Sequence, residues 1–117
     1  MPALNFQKQF APKVESGEKL QTIRALRKDG RDPKPGDTLF LYTGMRTKAC
    51  RKLKEATAIK VHDISIKDVG VFVDGESLNF KERKALALAD GFSCTKDFRN
   101  FFTMTHGIPF TGKIIKW

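Results

Sequence analysis

Strand-period apolar runs broken by glycine-containing turns point this chain towards a β-rich fold, and the plainest case is Asp74-Gly75. Val69, Val71 and Val73 precede it, and Leu78 and Phe80 follow. Alternate apolar residues turn one face of an extended strand towards a core, and Asp-Gly accepts the positive φ angles of a two-residue hairpin. The step therefore predicts a hairpin, with Leu78 and Phe80 beginning the return strand. Pro35-Gly36-Asp37 is another turn, and the β-branched and aromatic run Thr38 to Thr43 is a strand ended by Gly44. Ala56 to Ile66 reads as one long strand. Its apolar residues change parity between Ile59 and Val61 and then Ile64 and Ile66, which predicts a β-bulge at His62-Asp63. Thr111 to Trp117 supplies a last strand.

Helical spacing accounts for much of the rest. Phe6, Phe10 and Val14 recur every four residues and predict a short first helix that Ser16-Gly17 ends. Lys19 to Arg24 is extended, and Lys28 to Asp37 is a loop with two Pro and two Gly. Lys81 to Ala89 is rich in helix formers and is stopped by Gly91. Ser93 or Thr95 is expected to cap a further helix, whose Phe98, Phe101 and Phe102 form an apolar face for the core. Gly107 and Pro109 end it. The order is α+β, within a single domain over 1–117. So many strands in a short chain best avoid exposed edges by curling into a barrel.

Charge narrows the partners. The net charge is +9, and eleven of the 22 basic residues fall in two segments, six between Lys19 and Lys34 and five between Arg46 and Lys54, the latter with no acid among them. Clustered cations suggest a polyanion. No apolar run approaches the roughly 20 residues that span a bilayer, and the first residues lack the pattern of a signal peptide, so a cytoplasmic protein with no membrane partner is expected. Cys50 and Cys94 are too few and too far apart for a disulfide scaffold, and they make no zinc spacing with His62 and His106. No metal, no cofactor and a monomer are the expectations.

The most informative stretch is Gly17-Glu18-Lys19-Leu20-Gln21-Thr22-Ile23-Arg24. A bend after a helix-ending glycine would bring Lys19 back towards Thr22, with Arg24 on Thr22's face. This resembles the G-x-K-x-x-T-x-R signature of the ASCH superfamily. Pro35-Gly36-Asp37-Thr38-Leu39, Asp90-Gly91-Phe92, and Phe98 followed by Phe101-Phe102 are similar to that family too, so the resemblance covers nearly the whole chain. It implies a PUA-like small β-barrel flanked by short helices, with a cleft beside the motif that takes RNA, a nucleotide or a modified nucleoside. One branch of the family hydrolyses the acetyl amide of N4-acetylcytidine with a Lys, a Thr and a Glu. Lys19 and Thr22 match the first two, and the nearest match to the third is Asp90, one methylene shorter. Tyr42 to Lys48 has no counterpart in that branch and suggests another subgroup; other members are ribonucleases.

Each candidate also has a plainer reading. Lys19 is a base or nucleophile if burial and neighbouring cations lower its pKa, a point charge for phosphate otherwise, or an exposed lysine of little weight in folding. Thr22 either bonds a substrate oxygen or simply suits a strand. Arg24 offers a fork to phosphate or a base edge, or pairs with Asp37 or Asp90. Asp90, at a helix C-terminus, opposes the macrodipole, so local stability does not explain it. Arg46, Lys48, Arg51 and Lys52 face an anion or solvent, and Tyr42 stacks on a base or packs. Two functions follow. One is an RNA- or nucleotide-binding module centred on the motif. The other is a small hydrolase with Lys19, Thr22 and Asp90 as its catalytic set. A role purely in protein interaction is the third class.

Overall fold

The computed structural model describes residues 3–27, 30 and 32–117. In chain order its elements are β1 (Ala3–Phe6), α1 (Ala11–Ser16), β2 (Gln21–Ala25), β3 (Thr38–Thr43), β4 (Arg51–Thr57), β5 (Lys60–Lys67), β6 (Gly70–Val73), β7 (Glu76–Ser77), α2 (Phe80–Ala89), α3 (Thr95–Thr105) and β8 (Phe110–Lys116). The fold is α+β. Its strands form two sheets, β1-β3-β4 and β2-β8-β5-β6-β7, and among the described residues their pairing does not close into a barrel. The sheets join at the corner between β4 and β5. There the Ala58 amide donates to Asp37, its carbonyl accepts from Gly36, and the Ile59 amide donates to Lys116.

Neighbouring isoleucines in β8 show how the layers stack. Successive strand residues face opposite ways, and Ile114 and Ile115 are both fully buried. Ile114 joins Ile23, Ile64, Ile66, Phe98 and Phe102 on the side covered by α2 and α3. Ile115 joins Leu4, Phe6, Phe10, Leu39 and Leu41 on the other side. The larger sheet is thus covered on both faces, and each buried isoleucine is worth roughly 1.5–3 kcal/mol. A Cβ at Gly112 would overlap the Arg24 carbonyl, so this glycine is what lets β2 lie close against β8.

The hairpin forms as its sequence predicts, with Asp74 at φ +51 and Gly75 at φ +83. Its return strand does not extend as expected. β7 is only two residues long, and Phe80 is the exposed first residue of α2. The reason is a capping box: Asn79 Oδ1 accepts from the Glu82 amide at 2.8 Å, and Glu82 Oε1 accepts from the Asn79 amide at 2.9 Å. Val69 also lies outside β6 and is exposed.

Other boundaries shift for similar reasons. Phe6 ends β1 rather than lying on the first helix, because β1 pairs in parallel with β3, while α1 begins only at Ala11 with Pro12 in its first turn. Phe6, Phe10 and Val14 still meet in one cluster. The expected long strand breaks at Ala58-Ile59, leaving Ile59 exposed. There is no bulge at His62-Asp63: the β5–β8 register runs unbroken from Lys60↔Lys116 to Ile66↔Phe110. The parity changes because Val61 packs between the sheets while Ile64 and Ile66 face the helices. The register shift falls instead between Leu41 and Tyr42. Neither Ser93 nor Thr95 caps α3; Cys94 holds the N-cap position without a side-chain bond.

Candidate functional site

Gly17, at φ +84, ends α1 in the left-handed conformation and turns the chain into the segment that leads to β2. The Lys19 amide donates to the Lys13 carbonyl at 3.0 Å, and the Trp117 amide donates to Leu20 at 3.0 Å, so both sides of the segment are fixed. Lys19 then points inward and is 2% exposed. Its Nζ donates to the main-chain carbonyl of Asp90, lies 3.1 Å from Asp90 Oδ1, and sits 4.9 Å over the Phe10 ring. Lys19 is thus no solvated surface residue.

Asp90 comes from the far end of the chain. It is the C-cap of α2, and its amide closes the last turn on Leu86. Gly91 follows at φ +93, where a Cβ would press against the Phe10 ring at 3.1 Å and close on Lys19 Cδ at 3.5 Å. Thr22 and Arg24 occupy alternate positions of β2. Arg24 Nε donates to Thr22 Oγ1 at 3.1 Å, Nη2 donates to the Asn5 carbonyl at 2.6 Å, and the guanidinium lies 4.8 Å from the centre of the Phe6 ring. Among the described residues Arg24 makes no ion pair with Asp37 or Asp90; the Asp37 carboxylate accepts from the Lys34 amide instead. Lys19, Thr22, Arg24 and Asp90 all line one cavity of about 260 Å³, walled by Phe6, Phe10, Phe101 and Phe102.

Burial governs the electrostatics here. It pushes Asp90 up to about 6, against the pull of Lys19, Gln21 and Arg24. It pushes Lys19 down, against the attraction of Asp90, with Arg24 and Lys13 adding to the fall. Arg24 is pushed down to about 10 by the same cause, opposed by Asp90 and aided by Arg27. Desolvation exceeds mutual attraction for both members of the Lys19–Asp90 pair, which favours their neutral forms. Two buried polar atoms beside it lack a hydrogen-bond partner within the protein. Asp90 Oδ1 is at ion-pair distance from Lys19 but not aligned for a hydrogen bond, and Gln21 Nε2 makes no well-aligned hydrogen bond although the Gln21 side chain lies against Asp90.

The other basic candidates do not line this cavity. Arg46 opens onto a neighbouring cavity that shares Arg24 and Asn5 with it. Lys48 is exposed in the turn after β3. Arg51 pairs with Glu15 at 2.7 Å, and Lys52 pairs with Glu55 at 2.8 Å and lies over the Phe40 ring. The acids absent from the local sequence are therefore supplied by α1 and by β4 itself. Tyr42 is half-buried on β3, paired with Asn5 and Lys52, and lies away from the cavity lining.

Two residues outside the sequence candidates, Asn5 and His106, line the cavity, and a third, Gln21, lies behind it against Asp90. Asn5 supplies the carbonyl that orients Arg24; its segment reads as helix by spacing, so nothing in the sequence signals it. Gln21 is buried at 5% exposure beside Asp90. His106, the C-cap of α3, lines the cavity and stacks on Phe102 at 5.8 Å; its spacing of four from Phe102 just before Gly107 is a signal that could have found it. Cys50 and Cys94 are exposed. Among the described residues no three His, Cys, Asp or Glu side chains gather as a metal site, and no helix is long and apolar enough to cross a membrane. No family model, curated protein or solved structure matches the chain.

Proposed function

We propose that the chain is an ASCH-type domain, with its two sheets forming an open version of the PUA-like barrel, and that it binds RNA or a nucleotide by seating one unstacked base in the Lys19 cavity. One observation carries the reading: Lys19, Thr22, Arg24 and Asp90 meet in a single aromatic-walled cavity although Asp90 is 71 residues from Lys19. Single-stranded bases are recognised by aromatic walls together with polar groups on their edges. Thr22, Arg24 and His106 on the cavity lining offer polar groups for such an edge. The cavity lies just below the roughly 300–1,000 Å³ of drug-sized ligand sites, so it suits one base or sugar and excludes a duplex. The net charge of +9 supports a polyanionic partner over a free nucleoside.

A second reading is favoured by one specific observation, the shift of both Lys19 and Asp90 towards neutrality. In a hydrolase acting on an acylated nucleoside such as N4-acetylcytidine, Lys19 serves as base or nucleophile, Thr22 orients the carbonyl, and Asp90 passes a proton to the leaving nitrogen. Ribonuclease activity would use the same groups on a phosphodiester.

Binding of short single-stranded RNA and hydrolysis of N4-acetylcytidine, measured for the wild type, Lys19→Arg and Thr22→Val with thermal melts as controls, test both readings. RNA binding should weaken with salt at a log–log slope of about −3 if about four phosphates are neutralised. Folded Lys19→Arg should keep most binding and lose any turnover, since arginine stays protonated. Salt-independent binding, or no binding together with no turnover, would overturn the proposal.

A further inference from the structure

We propose that Arg24, Arg27 and Arg46 form an anion subsite for a phosphate group of the nucleotide whose base occupies the Lys19 cavity. This rests on the base-binding reading above. The three arginines line a second cavity of about 410 Å³, and Arg24 and Asn5 line both cavities. A ligand passing between them has an aromatic-walled chamber for a flat ring and an arginine-lined one for a charged group.

The second cavity is built rather than incidental. Arg46 has φ +67, a left-handed backbone that a bulky side chain seldom adopts unless its surroundings impose it. The surrounding turn does so. The Met45 amide donates to Asn5 Oδ1 at 3.0 Å, Thr47 Oγ1 donates to the Gly44 carbonyl at 2.6 Å, and that same oxygen accepts from the Ala49 amide at 3.1 Å. Gly44 admits no side chain, since a Cβ would lie 2.8 Å from the Ala49 carbonyl oxygen. Asn5 therefore organises both sides of the cavity: its side chain pins the turn that carries Arg46, and its carbonyl orients Arg24.

The charge balance points to an anion. Asp32 is the one carboxylate along the described lining, and its Oδ1 accepts from the Arg27 amide at 3.0 Å. Arg24 commits Nε to Thr22 and Nη2 to Asn5, leaving Nη1 without a partner among the described residues. Guanidinium groups present planar pairs of donors that match phosphate oxygens, and an anion here would offset the repulsion that Arg27 exerts on Arg24.

Calorimetric titration of the full chain with the four common nucleosides, their 5′- and 3′-monophosphates and the homodinucleotides tests this. The phosphorylated form of the base that binds should bind at least tenfold tighter than its nucleoside. Arg27→Ala and Arg46→Gly should each remove most of that increment and move nucleoside affinity by less than twofold; glycine suits the left-handed backbone, so the turn keeps its shape. A preference for dinucleotides would identify an RNA chain as the source of the phosphate, and a preference for monophosphates a free nucleotide; either supports the subsite. Equal affinity for nucleoside and phosphorylated forms, or an increment that survives both substitutions, overturns the subsite and leaves the base cavity standing. If no nucleoside or nucleotide binds, the base-binding reading falls, and inorganic phosphate decides the subsite. Shifts of the Arg24, Arg27 and Arg46 side-chain NMR signals that vanish in Arg46→Gly support it, and unmoved signals overturn it.

Discussion

Lys19 and Arg51 come from the two segments densest in Lys and Arg, yet the fold uses them in opposite ways. Lys19 is buried against Asp90, a residue from the other half of the chain. Arg51 is exposed and reaches across to Glu15 on α1, while Lys52 beside it pairs with Glu55 within β4. In water an ion pair gains little, because solvent screens the charges and two long side chains lose freedom. In the interior, removing one partner leaves an uncompensated charge, and the penalty is large. The difference teaches that linear charge density identifies a basic protein but not which charges the fold takes out of water, and it is those that line the candidate site.

The largest expected effect comes from breaking that pair on its acidic side. Asp90→Asn leaves the Lys19 ammonium buried with neutral partners and two neighbouring cations. We expect a loss of about 3–5 kcal/mol in urea unfolding at pH 7. The sign with pH follows from Lys19, whose folded pKa is depressed. Its contribution is present above the ordinary lysine value and is lost as pH falls through the folded one, so the Asp90→Asn penalty should not diminish between pH 8 and pH 6. Lys19→Met combined with Asp90→Leu removes both charges and should recover most of the loss. A double variant as unstable as Asp90→Asn would show that packing, and not the stranded charge, sets the penalty.

Lys19→Ala should cost less, because the folded pKa of Asp90 already lies close to the working pH. With its folded pKa already at about 6, Asp90 is close to neutrality at pH 7, which limits the added electrostatic cost to roughly 1–2 kcal/mol. The lost packing of the lysine stem comes on top. A carboxyl whose folded pKa is raised contributes stability that is full below about 3.8 and is lost as pH rises through the folded value. In Lys19→Ala that loss continues to higher pH. The gap between variant and wild type should therefore shrink as pH falls from 7 to 5, opposite to the behaviour of Asp90→Asn. Parallel stability–pH curves for the two variants would break the comparison.

How much of this was legible in the sequence depends on whether the signal was local. The Gly17 bend, the Asp74-Gly75 turn and the Phe98–Phe102 face are written in short stretches and fold as read. Lys19, Thr22, Arg24 and Asp90 were found through the motif, and the fold brings them together. The burial of Lys19 was not legible, because lysine's ordinary place is in water and only the packing of the Asp90-Gly91 turn and Phe10 around it removes it. Asn5 was hidden for a similar reason: it matters through a carbonyl and a side chain that bridge segments far apart in sequence. The capping box at Asn79 and Glu82 was readable, but the alternation of Leu78 and Phe80 suggested a strand, and two satisfied backbone amides outweigh one more exposed apolar position. Nothing local marks the corner at Ala58, where one apparent strand becomes two in different sheets.

The smallest expected effect lies on the exposed side of the comparison and bears on where RNA would contact the protein. Arg51→Ala together with Lys52→Ala removes two cations that already have carboxylate partners, so it frees Glu15 and Glu55 as it lowers the net charge. Each charge is already held by a carboxylate, Arg51 by Glu15 and Lys52 by Glu55, so the two exert little net pull on a ligand in the Lys19 cavity. The melting temperature should stay within experimental scatter, and affinity for a short single-stranded RNA should fall by less than twofold in an anisotropy titration at physiological salt. Arg46→Gly, measured alongside, should weaken the same RNA more, because Arg46 opens onto the cavity that shares Arg24 with the Lys19 cavity. If the Arg51 and Lys52 variant loses more affinity than Arg46→Gly, the outer face of β4 is the RNA surface. The buried pair would then be a structural device of the fold.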